Sequence, residues 1–105
     1  MTIAVIFEVD IKPGRSSDYF DLAAGLRQEL EKIDGFLSVE RFQSTTNPDK
    51  YLSLSIWRDQ AAVETWYQNQ PHATAQEKGR AQIFSGYHIR VAEIFRDYIM
   101  PDGRP

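Results

Sequence analysis

Residues 51–80 read YLSLSIWRDQAAVETWYQNQPHATAQEKGR. Leu52, Leu54 and Ile56 alternate with Tyr51, Ser53, Ser55 and Trp57, a period of two that predicts a strand from Tyr51 to Trp57. Asp59 stands where a helix N-cap belongs, and Val63, Trp66 and Tyr67 follow at helical spacing as a buried stripe. Pro71 marks the first position of a further helical piece that carries His72 and Gln76 and runs to Gly79. Two tryptophans, a tyrosine and a histidine fall close together here, more aromatic surface than a small core needs. They imply either an unusually aromatic core or the wall of a cavity for a flat, apolar ligand.

The flanking segments complete the architecture. Ile3, Val5, Phe7, Val9 and Ile11 alternate onto one face of a first strand. Ala4 and Ile6 make the start of its other face apolar as well, so both faces are covered at that end. Lys12-Pro13-Gly14 stops the strand. Ser16 or Ser17 is the expected cap of a helix whose inner stripe is Tyr19, Leu22, Ala23, Leu26, Leu30 and Ile33. Asp34-Gly35 is its expected end, with Gly35 as a left-handed C-terminal cap. Phe36 to Ser44 alternates as a second strand, and the turn-rich TTNPDK of residues 45–50 joins it to the third as a hairpin. The last strand lies within Phe84 to Met100, around YHIRVAEIF.

The order β-α-β-β-α-β predicts an α+β, ferredoxin-like split βαβ fold: a four-stranded antiparallel sheet with both helices on one face. Residues 1–100 form the domain and residues 101–105 a polar tail. The other face, with Ala4 and Ile6 or their alternating partners and with Phe36, Phe42, Tyr51 and Trp57, is read as too apolar to stay uncovered. A homodimer in which two sheets close a barrel, the dimeric α+β barrel, is the economical solution.

Composition narrows the function classes. The chain has 105 residues, 42% apolar and 26% charged, the size and make-up of one globular domain. A net charge of −3 with acids and bases interleaved argues against nucleic acid or an anionic membrane as partner. The absence of cysteine excludes disulfides, thiolate catalysis and the usual structural zinc. The N-terminal apolar run, Ile3 to Phe7, has no basic region before it and is too short for a signal peptide or a span, so a cytoplasmic location is expected.

With those segments in place, IWRDQAAVETWYQNQPHATAQEKGR followed by IFSGYHIRVAEIFRDY resembles the antibiotic biosynthesis monooxygenase domain proteins, small dimeric α+β barrels. The resemblance runs from Ile3 to Tyr98. It rests on Gly35-Phe36, the strand-ending Trp57, Trp66, the His72 to Gln76 segment with Gly79-Arg80, and the final strand from Tyr87 through Arg90-Val91 to Tyr98. It implies a pocket between sheet and helices. Catalytic members there oxygenate aromatic polyketides or quinols without metal or flavin, or bind and degrade haem. The haem-degrading branch uses an Asn on the first strand and a ligating His nine or ten residues beyond the Trp. Here Phe7 or Glu8 takes the first position and Ala75 and Gln76 the second, while His72 is only six residues beyond Trp66.

The resemblance therefore implies a monooxygenase that needs no cofactor and acts on a small aromatic or quinol substrate, with haem binding as the alternative and a non-enzymatic dimer that binds a small ligand as a third reading. Trp66 and His72 are the expected catalytic pair: one ring stacks the substrate and the imidazole takes a proton from it, leaving an electron-rich anion that reacts with O₂. Phe7, Trp57, Tyr67, Gln76 and Tyr87 are the expected substrate-binding residues. Each also has a plainer reading, Trp66 as a core tryptophan and His72 as a solvent-facing first-turn residue. Arg41, Arg90 and Arg96 either hold a carboxylate or oxyanion or pair with acidic strand neighbours such as Glu8. No metal site is expected, because His72 and His88 have no converging carboxylates.

Overall fold

Pairing on both sides of the first strand organises the molecule. In the computed structural model, which describes residues 1–68 and 82–100, the elements are β1 (Ile3–Ile11), α1 (Ser16–Leu30), β2 (Phe36–Gln43), β3 (Lys50–Trp57), α2 (Gln60–Gln68) and β4 (Phe84–Glu93). The strand order is β2-β3-β1-β4 and every neighbouring pair is antiparallel. The β-α-β-β-α-β order and the ferredoxin-like sheet are those expected from the sequence. The strand richest in β-branched residues is central, where both of its edges are hydrogen-bonded.

Register decides which side chains lie under the helices. Ile3 pairs with Trp57, Val5 with Ser55, Phe7 with Ser53 and Val9 with Tyr51. Opposed residues in an antiparallel pair share a face. Tyr51 and Trp57 therefore lie on the helix-covered face, and Trp57 is only 1% exposed. Phe36 joins them, edge-on to Trp57 at 5.3 Å. This corrects the expectation that all three help to form the uncovered face. Burying the large rings of β3 leaves its aliphatic stripe, Leu52, Leu54 and Ile56, on the other side with Ala4, Ile6 and Phe42. Glu8 and Arg90 pair across that face at 2.8 Å.

The helix ends differ in part from their sequence signals. Ser16 is already the first helical residue, so neither Ser16 nor Ser17 caps α1; Arg15 flanks it with no side-chain cap bond and pairs with Asp18 at 3.1 Å. At the other end α1 stops at Leu30 rather than Gly35, because Lys32 N–H to Glu29 O and Ile33 N–H to Leu30 O tighten the chain into turns. Gly35 is left-handed as expected, φ +95°, but it serves the entry into β2. The Asp59 cap does form: its Oδ1 accepts the Ala62 N–H at 2.9 Å. Arg58 donates from its backbone to Gly35 O at 2.7 Å, and its guanidinium reaches Asp34 and Asp59 at 3.1 and 3.2 Å. The start of β2 is thereby tied to the start of α2.

The core divides into two clusters. One gathers Leu30, Ile33, Val39, Trp57, Ala62 and Val63 around Ile3. The other gathers Val9, Ile11, Tyr19, Tyr51 and Ile83. Helix α1 spans both, with Tyr19 in one and Leu30 in the other.

Candidate active site

Between the two clusters the packing stops. A cavity of about 130 Å³ lies there, under α1 and over β1, β2 and β3. Its origin is visible in side-chain size. At the middle of α1 the inward residue is Ala23, and beneath it β3 presents Ser53 and Ser55 rather than its terminal Tyr51 and Trp57. Large rings at both ends hold helix and sheet apart, and small side chains between them leave the space unfilled. Phe7, Leu22 and Phe84, packed against one cluster, and Val5 and Trp66, packed against the other, line it together with Leu26, Trp57 and Tyr67.

The sheet side contributes Arg41, Ser53 and Ser55, and the helices add the hydroxyls of Tyr19 and Tyr67. Arg41 and Ser53 are register partners on β2 and β3, as are Val39 and Ser55. Trp57 Nε1 donates to Ser55 Oγ at 2.9 Å, which leaves the Ser55 hydroxyl proton to be given elsewhere. Arg41 and Tyr19 both line the cavity, near enough for the guanidinium charge to act on the phenol. Burial raises the Tyr19 phenol above its ordinary pKa, against the lowering pull of Arg41, and keeps it protonated at neutral pH. Among the described lining residues Arg41 is the one formal charge, with no carboxylate and no imidazole beside it.

An aromatic-walled pocket between the helices and sheet of a split βαβ fold is the arrangement that the resemblance implied. The profile of the antibiotic biosynthesis monooxygenase family matches residues 2–78. The chain belongs to this family. Among its relatives is the jasmonate monooxygenase ABM of Pyricularia oryzae, 42% identical over 91 residues, which cover 87% of this chain and 42% of that protein. The chain thus spans less than half the length of that relative. Protein YqjZ of Bacillus subtilis, described as uncharacterised, is 27% identical over 94% of this chain and 84% of its own length. Among solved structures, SnoaB of Streptomyces nogalater, a cofactor-independent oxygenase, superposes with a TM-score of 0.80 at 10% identity, over 96% of this chain and 98% of that one. At that identity the likeness is one of fold.

In this family member the residues expected at the site divide into three groups. Phe7, Trp57, Trp66 and Tyr67 all line the cavity. Tyr87 does not; it packs on Phe7 at 5.7 Å but is 57% exposed. His72 and Gln76 lie outside the described residues. Arg90 points to the open face, paired with Glu8, and Arg96 lies over the Phe95 ring at 5.8 Å. Tyr19, Ala23, Ser53 and Ser55 were not singled out for the site by the sequence. Their signal is small-facing-small at the centre of two otherwise bulky stripes. For haem the described residues fit poorly: a cavity of about 130 Å³ is far smaller than a haem, and no lining side chain among them is a histidine, cysteine or methionine. No cluster of three or more potential metal ligands occurs among the described residues, nor any helix long and apolar enough to cross a membrane.

Proposed function

We propose that the protein is a monooxygenase that needs no metal or flavin and acts on a small cyclic substrate, aromatic or quinol in character, held in the cavity between α1 and the sheet. The observation that carries this reading is the apolar pocket walled by Phe7, Trp57 and Trp66 in a member of this family. In such a reaction the substrate supplies all the electrons. A carbon bearing two hydrogens beside a phenol or enolisable carbonyl becomes a carbonyl, or a hydroquinone becomes a hydroxyquinone; in either case one oxygen atom of O₂ enters and the other leaves as water. The protein's share is to enclose the substrate, stack its ring against Trp66 and assist loss of the first proton. His72 is the base nominated by the sequence, and Gln76 a residue that orients the substrate. The open face of Ile6, Phe42, Leu52, Leu54 and Ile56 is proposed as the homodimer contact.

The test is O₂ uptake by the purified protein in chelator, without added reductant, against a panel of hydroquinones, hydroxyaryl ketones and jasmonate, the last because of the relative named for it. Substrate-dependent uptake that is lost in His72→Ala and reduced in Trp66→Ala is expected, with one ¹⁸O from labelled O₂ in the product. Uptake that appears only on adding a flavin, a metal or haem would overturn the cofactor-free reading. The absence of uptake with the whole panel would favour a binding protein.

A further inference from the structure

Ser55 differs in chemistry from everything packed around it. Tyrosine and tryptophan apart, it is the one buried polar side chain among the described residues, at 7% exposure. Its register partners on both neighbouring strands are valines, Val5 and Val39, so the packing there suits an aliphatic residue. A hydroxyl in that setting costs stability unless it is hydrogen-bonded. Trp57 Nε1 donates to Ser55 Oγ at 2.9 Å. The indole is itself 1% exposed and has a single N–H, so this bond fixes the side on which Oγ accepts. The serine proton must then point away from the indole, and Ser55 lines the cavity. A hydroxyl that accepts one hydrogen bond donates more strongly in the next, because each bond polarises its neighbour. Ser53, two residues earlier on the same face, also lines the cavity but does not receive the Trp57 N–H.

We infer that Ser55 is a catalytic hydrogen-bond donor, polarised by Trp57, that holds the substrate oxygen on which negative charge gathers when the first proton is lost. The base takes that proton; Ser55 keeps its own and gives only a hydrogen bond. The bond strengthens as the phenolic or enolic oxygen becomes an anion, so it favours the reacting state over the bound substrate. Trp57 acts on that oxygen through Ser55 and is a positioning residue. The ligand selected in this way carries its reactive oxygen over the middle of β3, with its ring among the apolar lining residues Phe7, Leu26 and Trp66. This rests on the cavity being the substrate site, as proposed above, and adds the group that stabilises the anion there.

para-Nitrophenol tests this, because its anion is coloured and its pKa in the cavity is read by absorbance without any turnover. Arg41, Tyr19 and Tyr67 line the cavity in the wild type and in every variant, so differences between variants report the serine hydroxyl. In Ser55→Ala the pKa of the bound phenol should rise by about one to two units, the scale of one hydrogen bond to a charged group. Ser55→Thr keeps the hydroxyl and should hold the wild-type value. Trp57→Phe keeps the hydroxyl but not its polarisation, and should raise the value by roughly a few tenths of a unit. Should Ser55→Ala fail to fold, Ser55→Cys, with only a weak S–H donor, should shift the value in the same direction. An unchanged pKa in these Ser55 variants, an equal rise in Ser53→Ala, or no binding of the phenol by the wild type overturns the inference. The oxygenase reading fails separately: a pKa that depends on Ser55 without O₂ uptake leaves the donor standing, and uptake with no such dependence leaves only the enzyme.

Discussion

Replacing Ala23 with leucine asks whether the space beneath α1 is truly empty. Ala23 is buried, at 5% exposure, and faces the cavity of about 130 Å³. Leucine adds three carbons that the cavity accommodates without moving the helix. At about 0.8 kcal/mol per buried CH₂ the gain is about 2.4 kcal/mol. Fixing the leucine rotamer costs about 0.5–1 kcal/mol, and helix propensity is nearly unchanged. The net expectation is a stabilisation of about 1.5 kcal/mol, read as a rise of about 1 M in the urea midpoint with an unchanged slope. The same variant should lose substrate-dependent O₂ uptake, since the side chain occupies the ligand's place. A well-packed core gives the opposite sign, because overpacking destabilises by about 1–3 kcal/mol. A fall in the urea midpoint would therefore refute the cavity, and a stabilised variant that still binds ligand would refute its role as the site.

Ser55→Ala strips the Trp57 indole N–H of its acceptor in a nearly inaccessible position, and should lower stability by about 1–3 kcal/mol in urea denaturation. Gly35→Ala combines left-handed backbone strain with a Cβ placed 2.6 Å from that of Ala62; a loss of about 2 kcal/mol or more is expected, with Ala62→Gly restoring only the steric part in a double-mutant cycle. The pH dependence follows from two carboxylates. The Arg90 hydrogen bond holds Glu8 below its ordinary value, and the Ala62 N–H, then Arg58, do the same for Asp59. A depressed folded-state pKa means that their stabilisation is full above the unfolded carboxylate value of about 4 and fades as pH falls through the folded value. The gap in urea midpoint between wild type and a Glu8→Gln, Asp59→Asn variant should accordingly close below about pH 4, where solvent screening already makes it small.

The fold was legible in the chain because period and punctuation agree over most of it. Ile3 to Ile11 alternates without a break, the TTNPDK turn marks a hairpin, and Asp59 caps its helix as its position demands. What the pattern did not reveal was which face of β3 goes inward. Alternation assigns Tyr51, Ser53, Ser55 and Trp57 to one side and Leu52, Leu54 and Ile56 to the other, and both stripes are apolar enough to be core. Only the pairing of Val5 with Ser55 and Val9 with Tyr51 settles it, and register is a long-range property that a local window does not contain. The site was half legible for the same reason. Trp57, Trp66 and Phe7 announce themselves as rings, whereas Ala23 and the two serines matter by what they leave unfilled, which is defined only once helix and sheet face each other.

That empty volume also bears on how the domain is held together. At about 24 cal/mol per Å³, a cavity of about 130 Å³ forgoes about 3 kcal/mol relative to a filled core. Against the roughly 5–15 kcal/mol that folds an ordinary domain, this is a large fraction. The sequence places its strongest packing where it does not compete with the space: Tyr19 contacts Tyr51 and Phe84 at one end of α1, while Leu30 and Ile33 meet Trp57 and Val63 at the other. The helix is pinned at its ends and unsupported in its middle. A ligand with an apolar body supplies the missing contacts there. Because such a ligand binds only where helix and sheet face each other, its binding energy adds to that of folding, and a saturating ligand should raise the urea midpoint of the wild type but not of Ala23→Leu.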